Sequence, residues 1–162
     1  MKKWPLILFA TVCVLGPSIC FFSLYLSGYR LFMIPGKAME PTIADGERTV
    51  ARLSENYRKE IKRFDIVIYS DGRTPPTLRA RRVVGLPGES ISGSAAGISI
   101  GAIPIKMPSG FRVDDIKDRP FLTKIPSDCV YLLGDNPRES LDSRYTGPLP
   151  LRLVVGKLPF KH

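Results

Sequence analysis

The sequence predicts a mainly β protein, in which an N-terminal transmembrane helix precedes an all-β domain. Three observations carry that prediction. No charged residue occurs between Trp4 and Tyr29, and residues 5–27 are almost wholly apolar. Beyond them, short β-branched and apolar runs alternate with turns rich in Gly and Pro. Helical periodicity is nearly absent from the same region. The 162 residues accommodate one ordinary domain and a short appendage. With 44% hydrophobic and 24% charged residues, the composition is globular and excludes a largely disordered chain.

The membrane element comes first. A helix crossing a bilayer core of roughly 30 Å needs about 20 apolar residues, so residues 5–28 suffice as an anchor. A cleaved signal peptide has a shorter apolar core, about 7–15 residues, and ends in a small-x-small site. The exit Ser27-Gly28-Tyr29-Arg30 offers no convincing site, so a retained anchor is expected. Gly16-Pro17 is compatible with a kinked membrane helix. Lys2 and Lys3 place residues 1–4 in the cytoplasm by the positive-inside rule, although Arg30 and Lys37 weaken the bias. Residues 29–162 then face outward. With Lys2 and Lys3 set aside, 22 basic residues oppose 15 acidic ones, leaving +7 of the chain's +9. That excess suits a domain lying close to a phospholipid membrane with anionic headgroups. No basic stripe with interleaved aromatics appears, so no nucleic-acid partner is expected.

The β elements follow in order. Residues 49–53 form a strand after the turn Ala44-Asp45-Gly46. Residues 54–63 are polar and have room for one or two helical turns. Residues 64–69 (FDIVIY) are a strong strand, closed by Asp71-Gly72. Residues 78–84 are a second, basic on one flank, ending at Gly85-Leu86-Pro87-Gly88. Residues 89–106 are rich in Gly and Ser, with a hairpin signal around Ile98 and Ile100. Residues 108–119 read as loop. Residues 129–133 (CVYLL) are a third strong strand, stopped by Gly134-Asp135-Asn136-Pro137, and residues 151–157 are the last.

Histidine and cysteine restrict the chemistry. The single histidine, His162, argues against a His-dependent triad or a His-rich metal site. Three cysteines without a C-x-x-C pair give neither a zinc ribbon nor a disulfide framework. Cys13 and Cys20 lie in the apolar stretch, and Cys129 reads as a small buried residue, since no histidine could activate it. An enzyme built on this chain works without histidine.

Four clusters combine unusual residue choices with a fixed order: residues 35–43 (PGKAMEPTI), 64–68 (FDIVI), 81–89 (RRVVGLPGE), and Gly134-Asp135-Asn136 continuing through Ser140 and Asp142-Ser143-Arg144 to Gly147. Behind one N-terminal anchor, they resemble the type I signal peptidase family. These membrane-anchored serine endopeptidases remove signal peptides from exported preproteins. The resemblance covers nearly the whole chain. It implies an all-β catalytic core with a variable β insertion, here short, at about residues 90–127. It also implies a single-pass protein of the bacterial inner (plasma) membrane with its main domain on the outer face. The family's catalysis needs no metal or cofactor, and none is expected.

The resemblance accounts for the missing histidine, because the family uses a Ser/Lys dyad. A lysine whose charged form is disfavoured by burial serves as general base to the serine hydroxyl. The backbone N–H at the nucleophile position helps stabilise the oxyanion. Here, however, the nucleophile position holds Ala38, which has no side-chain oxygen. The general-base position holds Arg81, whose guanidinium is effectively never deprotonated. Dyad members act as a unit, so the chain is expected to bind without cutting. Lys37 adjoins Ala38 but points away from it on an extended loop, and there is no hydroxyl for it to activate. Ser140 matches the family serine that hydrogen-bonds the lysine. Asp142 and Arg144, two apart on one side of an extended segment, match the pair that braces the site. An extended peptide would add as a strand beside the groove, its small residues held in shallow pockets for which Ile34, Met39, Pro41, Val83 and Val84 are the candidates. Arg79 and Arg82 read as solvent or headgroup contacts, and Asp65 as structural.

Three functions remain open. One is a signal peptidase carrying a disabled dyad. Another is a pilin or conjugation maturation peptidase of the same lineage, acting on pilin precursors. The third is a natural non-catalytic membrane adaptor that holds such peptides. The Ala38/Arg81 pair marks either an inactivated form of an active parent or a natural relative, and the intact Met39, Pro41, Asp142 and Arg144 favour the former.

Overall fold

The strongest strand signals, residues 64–69 and 129–133, are largely apolar runs, and the computed structural model explains them, although the first strand begins at Ile66. Both faces of these strands are buried, as an unbroken apolar run requires. The structure describes residues 17–19, 22–23, 25–53, 60–72, 74–94, 96–112, 116 and 120–159. Among them eleven strands form two antiparallel sheets. The strands are β1 (Tyr29–Ile34), β2 (Glu47–Leu53), β3 (Ile66–Ser70), β4 (Leu78–Gly85), β5 (Ser90–Ser94), β6 (Gly97–Ile100), β7 (Ile103–Ile105), β8 (Phe121–Lys124), β9 (Cys129–Leu133), β10 (Leu149–Pro150) and β11 (Val154–Lys157). The larger sheet has the order β1-β2-β11-β3-β4-β9-β10, the smaller β7-β6-β5-β8.

Alternation along the central strands distributes side chains among three cores. Ile66 and Ile68 of β3 pack with Ile34, Met39 and Ile43, whereas Val67 and Tyr69 pack with Val83, Val130 and Leu132. On β9, Cys129, Tyr131 and Leu133 face the other way, into a third core shared with Ile91 and Ile98 of the smaller sheet. The sheets are tied where Phe121 stacks on Tyr131, with ring centroids 5.0 Å apart. Gly93 makes room for that ring, since a Cβ there would sit 2.3 Å from Phe121 Cε1.

Several boundaries differ from expectation. Residues 151–153 form a 3-10 turn, so the last strand begins at Val154. β1, an edge strand paired only with β2, occupies residues that read as the exit from the anchor. β8 and the two-residue β10 are too short to carry a periodic signal. Residues 17–19, 22–23 and 25–26 are helical and lead into β1. Among the described residues no helix is long and apolar enough to cross a membrane. Most of the expected span at 5–28 lies outside the described residues, as do residues 1–4 and residues 54–59 of the polar segment.

A polar clamp closes the β4–β5 junction. Arg63 Nη2 reaches Glu89 Oε1 at 2.6 Å, Arg63 Nη1 donates to Val84 O at 2.6 Å, and the Leu86 N–H donates to Glu89 Oε2 at 2.7 Å. Partial burial pushes the Glu89 carboxyl up, but these hydrogen bonds and the Arg63 charge together hold it below its ordinary 4.5. A carboxyl lowered in the folded state stabilises the fold above its unfolded pKa, and that contribution is lost as pH falls through the folded value. Acid unfolding followed by circular dichroism should therefore show a stability loss starting below about pH 4.5 that Glu89→Gln flattens. An unchanged acid limb in that variant would remove Glu89 as its cause.

Candidate active site

The turn that carries Ala38 is built from both ends. After β1, Gly36 adopts φ +89°, a left-handed value suited to glycine. Its N–H donates to Asp45 Oδ1 at 2.6 Å. The chain then enters a 3-10 turn, Lys37–Met39, rather than an extended loop. Met39 roots this turn in the core with Ile34, Ile43 and Ile66, leaving Ala38 beside it just beneath the surface. From across the sheet, the Asn136 N–H donates to Ala38 O at 3.0 Å, and Asn136 Nδ2 donates to Lys37 O at 3.2 Å. Gly134 permits this approach: a Cβ there would lie 2.5 Å from Ala38 O and 2.3 Å from Ser140 Oγ.

β4 carries two consecutive arginines to opposite faces of the sheet. Arg82 corrects the sequence reading, being fully buried rather than at the surface. Its register partner is Ile66, on a face covered by core. Its guanidinium grips Asp135 with both arms, Nε to Oδ1 at 2.7 Å and Nη2 to Oδ2 at 2.6 Å, and Nη1 donates to Phe64 O at 2.9 Å. The Thr42 hydroxyl donates to the same Asp135 Oδ2 at 2.5 Å. Arg81 is nearly as buried, but Nη1 and Nη2 donate only to carbonyls, Ala80 O at 2.6 Å and Leu141 O at 3.2 Å. Burial pushes its pKa down, opposed by the nearby Tyr69 and Asp142. A guanidinium so placed still keeps its proton at neutral pH.

The Asp142/Arg144 pair forms, though by a different geometry from that expected. Arg144 lies in a helical turn, whereas Asp142 is extended. It caps the one-turn helix Ser143–Thr146 by accepting from the Arg144 N–H. Arg144 Nε and Nη2 reach Asp142 Oδ1 and Oδ2, each at 2.9 Å, and Nη2 also donates to Pro137 O at 2.7 Å. The Gly134 N–H donates to Asp142 Oδ2 at 3.1 Å. The pair is buried and braces the loop carrying Gly134 and Ser140, unlike a weak surface ion pair. Ser140 is buried against Gly134, and its hydroxyl has no hydrogen-bond partner. Ser143 Oγ accepts from the Leu132 N–H at 2.9 Å, which commits it to β9.

Ala38 and Arg81 line one cleft of about 310 Å³, together with Pro35, Gly36, Leu78, Arg79 and Leu141. A family profile described as signal peptidase, peptidase S26, matches residues 1–162. The chain belongs to the S26 signal peptidase family. Signal peptidase I of Bacillus caldolyticus is 25% identical over 176 residues, covering 99% of this chain and 90% of its own. Mitochondrial inner membrane protease subunit 1 of Mus musculus is 34% identical over 129 residues, covering 80% of this chain and 66% of its own. Signal peptidase I P of Bacillus subtilis subsp. natto is 31% identical over 124 residues, or 72% and 66%. The chain thus spans about two thirds of the latter two relatives. A crystal structure of a signal peptidase I from Enterococcus faecalis V583 superposes with a TM-score of 0.52 at 24% identity, over 60% of this chain and 96% of that one. That likeness concerns the fold.

In this S26 family member the residues expected to line substrate pockets are dispersed. Ile34 and Met39 lie in one core, Val83 in a second and Val84 in a third. Pro41 is exposed, close to Gly110. None of the five is among the residues bordering the cleft. Its apolar lining includes the exposed Leu78, three positions before Arg81, and Leu141, between Ser140 and Asp142, both of which the motif reading passed over. Among the described residues no three His, Cys, Asp or Glu side chains gather as a metal site. Asp135→Asn leaves the buried Arg82 charge without its counter-ion, so urea denaturation should register a loss of about 3–5 kcal/mol. A loss below about 1 kcal/mol, the range of an exposed pair, would show that this pair does not organise the site.

Proposed function

We propose that this protein is a membrane-anchored signal-peptidase-type protein that binds the signal peptides of exported preproteins without cleaving them. The single observation that carries this reading is the shared cleft of Ala38 and Arg81. The residues at the family's nucleophile and base positions border the same cleft, yet neither side chain can perform its step. Ala38 offers no hydroxyl to attack a carbonyl, and Arg81 cannot accept a proton. Of the hydroxyls in the motif segments, Thr42 is held by Asp135 and Ser143 by Leu132, and Ser140 has no base beside it.

The surface beside β1 supports contact with a membrane, whereas the cytoplasmic N-terminus and outward-facing domain rest on Lys2 and Lys3. Leu31 and Met33 are about two-thirds exposed, and Leu31 lies opposite the exposed Val50 on β2. Arg48 and Arg52 flank this stripe on β2. Apolar side chains beside cations suit an interface with anionic headgroups, and β1 starts directly after the helical residues that precede it.

The reading is tested by restoring the dyad. The double variant Ala38→Ser/Arg81→Lys should process a preprotein, with a pilin precursor assayed in parallel to identify the substrate class. The unaltered chain and each single variant should stay at background, because serine and lysine act as a unit. Processing by the unaltered chain would refute inactivity, whereas a folded double variant that binds precursor but never cuts would assign the chain to a non-catalytic adaptor.

A further inference from the structure

Three buried arginines surround the site, and one is unlike the others. Arg82 and Arg144 each hold a carboxylate with two N–H groups, Asp135 and Asp142 respectively. Arg81 is only 5% exposed, yet no carboxylate pairs with it among the described residues. Its Nε–H is buried with no acceptor at all. Asp142 cannot fill that role, because Arg144 occupies both its oxygens and two backbone N–H groups donate to them as well. A buried cation without a counter-ion is costly, and an anion entering from the cleft would relieve that cost. The cleft bordering Arg81 is itself cationic, with Lys37 and Arg79 on its walls against Glu139 as its acidic residue. The Ser140 hydroxyl is a second buried polar group left without a partner in this region.

We infer that the cleft is a receptor for a peptide ending in a free α-carboxylate, with Arg81 as the carboxylate-binding residue. The inference rests on the reading of this cleft as a peptide groove and names its ligand. A guanidinium presents a planar fork that matches a carboxylate, which an ammonium point charge does not. An alanine at position 38 neither attacks nor crowds a group seated beside it. A terminal carboxylate can therefore occupy the place where a scissile carbonyl would lie in a cutting relative. A signal peptide acquires such an end only when its precursor is cut, so the reaction that supplies this ligand is hydrolysis of a preprotein by another protease.

Binding of labelled, N-acetylated peptides to the full chain in detergent micelles tests this by fluorescence anisotropy. One peptide ends in Ala-x-Ala with a free carboxylate, and a second is its C-terminal amide. A third is amidated but carries an Asp side chain at the last position, and a fourth runs uncut through the cleavage site. The free acid should bind at least about tenfold more tightly than the amide, as a charge-assisted pair would give, and the advantage should shrink with added salt. Arg81→Gln should abolish the preference and Arg81→Lys reduce it. Equal binding of acid and amide overturns the inference, as does an acid preference that survives in Arg81→Gln or an amidated Asp peptide that binds as well as the acid. If Arg81→Gln fails to fold, the acid and amide comparison on the unaltered chain decides alone. Binding of the uncut peptide without any acid preference overturns the inference but leaves the groove standing. No binding of any peptide overturns both.

Discussion

The buried ion pair between Arg82 and Asp135 is the contact on which the site's geometry depends. Both side chains are fully buried, so the pair holds only because every arm is engaged. Arg82 comes from β4, Asp135 from the loop after β9, and Thr42 reaches the same carboxylate from beyond the Ala38 turn. Three segments distant in sequence thus converge on one carboxylate. With Asp135 fixed, the next residue, Asn136, is placed to hold the carbonyls of Lys37 and Ala38. The pair also sustains a local strain. Phe64 has φ +72°, a left-handed conformation that an aromatic residue adopts at a cost of order 1–3 kcal/mol. Its carbonyl accepts from Arg82 and its N–H donates to Val83 O, which offset that cost.

Alternation along β4 then divides the labour. Arg82 points to the face where the scaffold is locked, and Arg81 to the face where the cleft opens. Adjacent residues of one chemical type therefore meet opposite electrostatic surroundings. The Asp142–Arg144 brace is a separate contact, tying the Gly134 N–H and the Pro137 carbonyl into one unit. The cleft consequently has walls from β4, the Ala38 turn and the Ser140 loop, each fixed by its own buried charge or core contact.

Much of this was legible beforehand, and the reasons differ by residue. The β3 and β9 strands were visible because burial on both faces demands an uninterrupted apolar run. Ala38, Arg81, Ser140, Asp142 and Arg144 could be singled out because motif residues keep their order and spacing along the chain, and the fold brings Ala38 and Arg81 to one cleft. Arg82 was misread because a charged residue on a strand flank looks solvated until its counter-ion is known, and Asp135 lies 53 residues away. That Val83 and Val84 enter different cores was not legible, because adjacency to a motif does not tell which face of a strand each side chain meets. β1 was missed because its residues continue the apolar stretch before it, and only pairing with β2 turns that continuation into a strand.

Taken alone, the sequence determined the mainly β class, the order of the motifs, and the absence of a hydroxyl and a titratable base at positions 38 and 81. Those properties belong to single residues and short runs, and chain order preserves them. The tertiary structure decided which arginine is paired and which is left with a buried, partnerless N–H. That depends on the register of β4 against β3 and β9, a long-range relation between strands that no local pattern encodes.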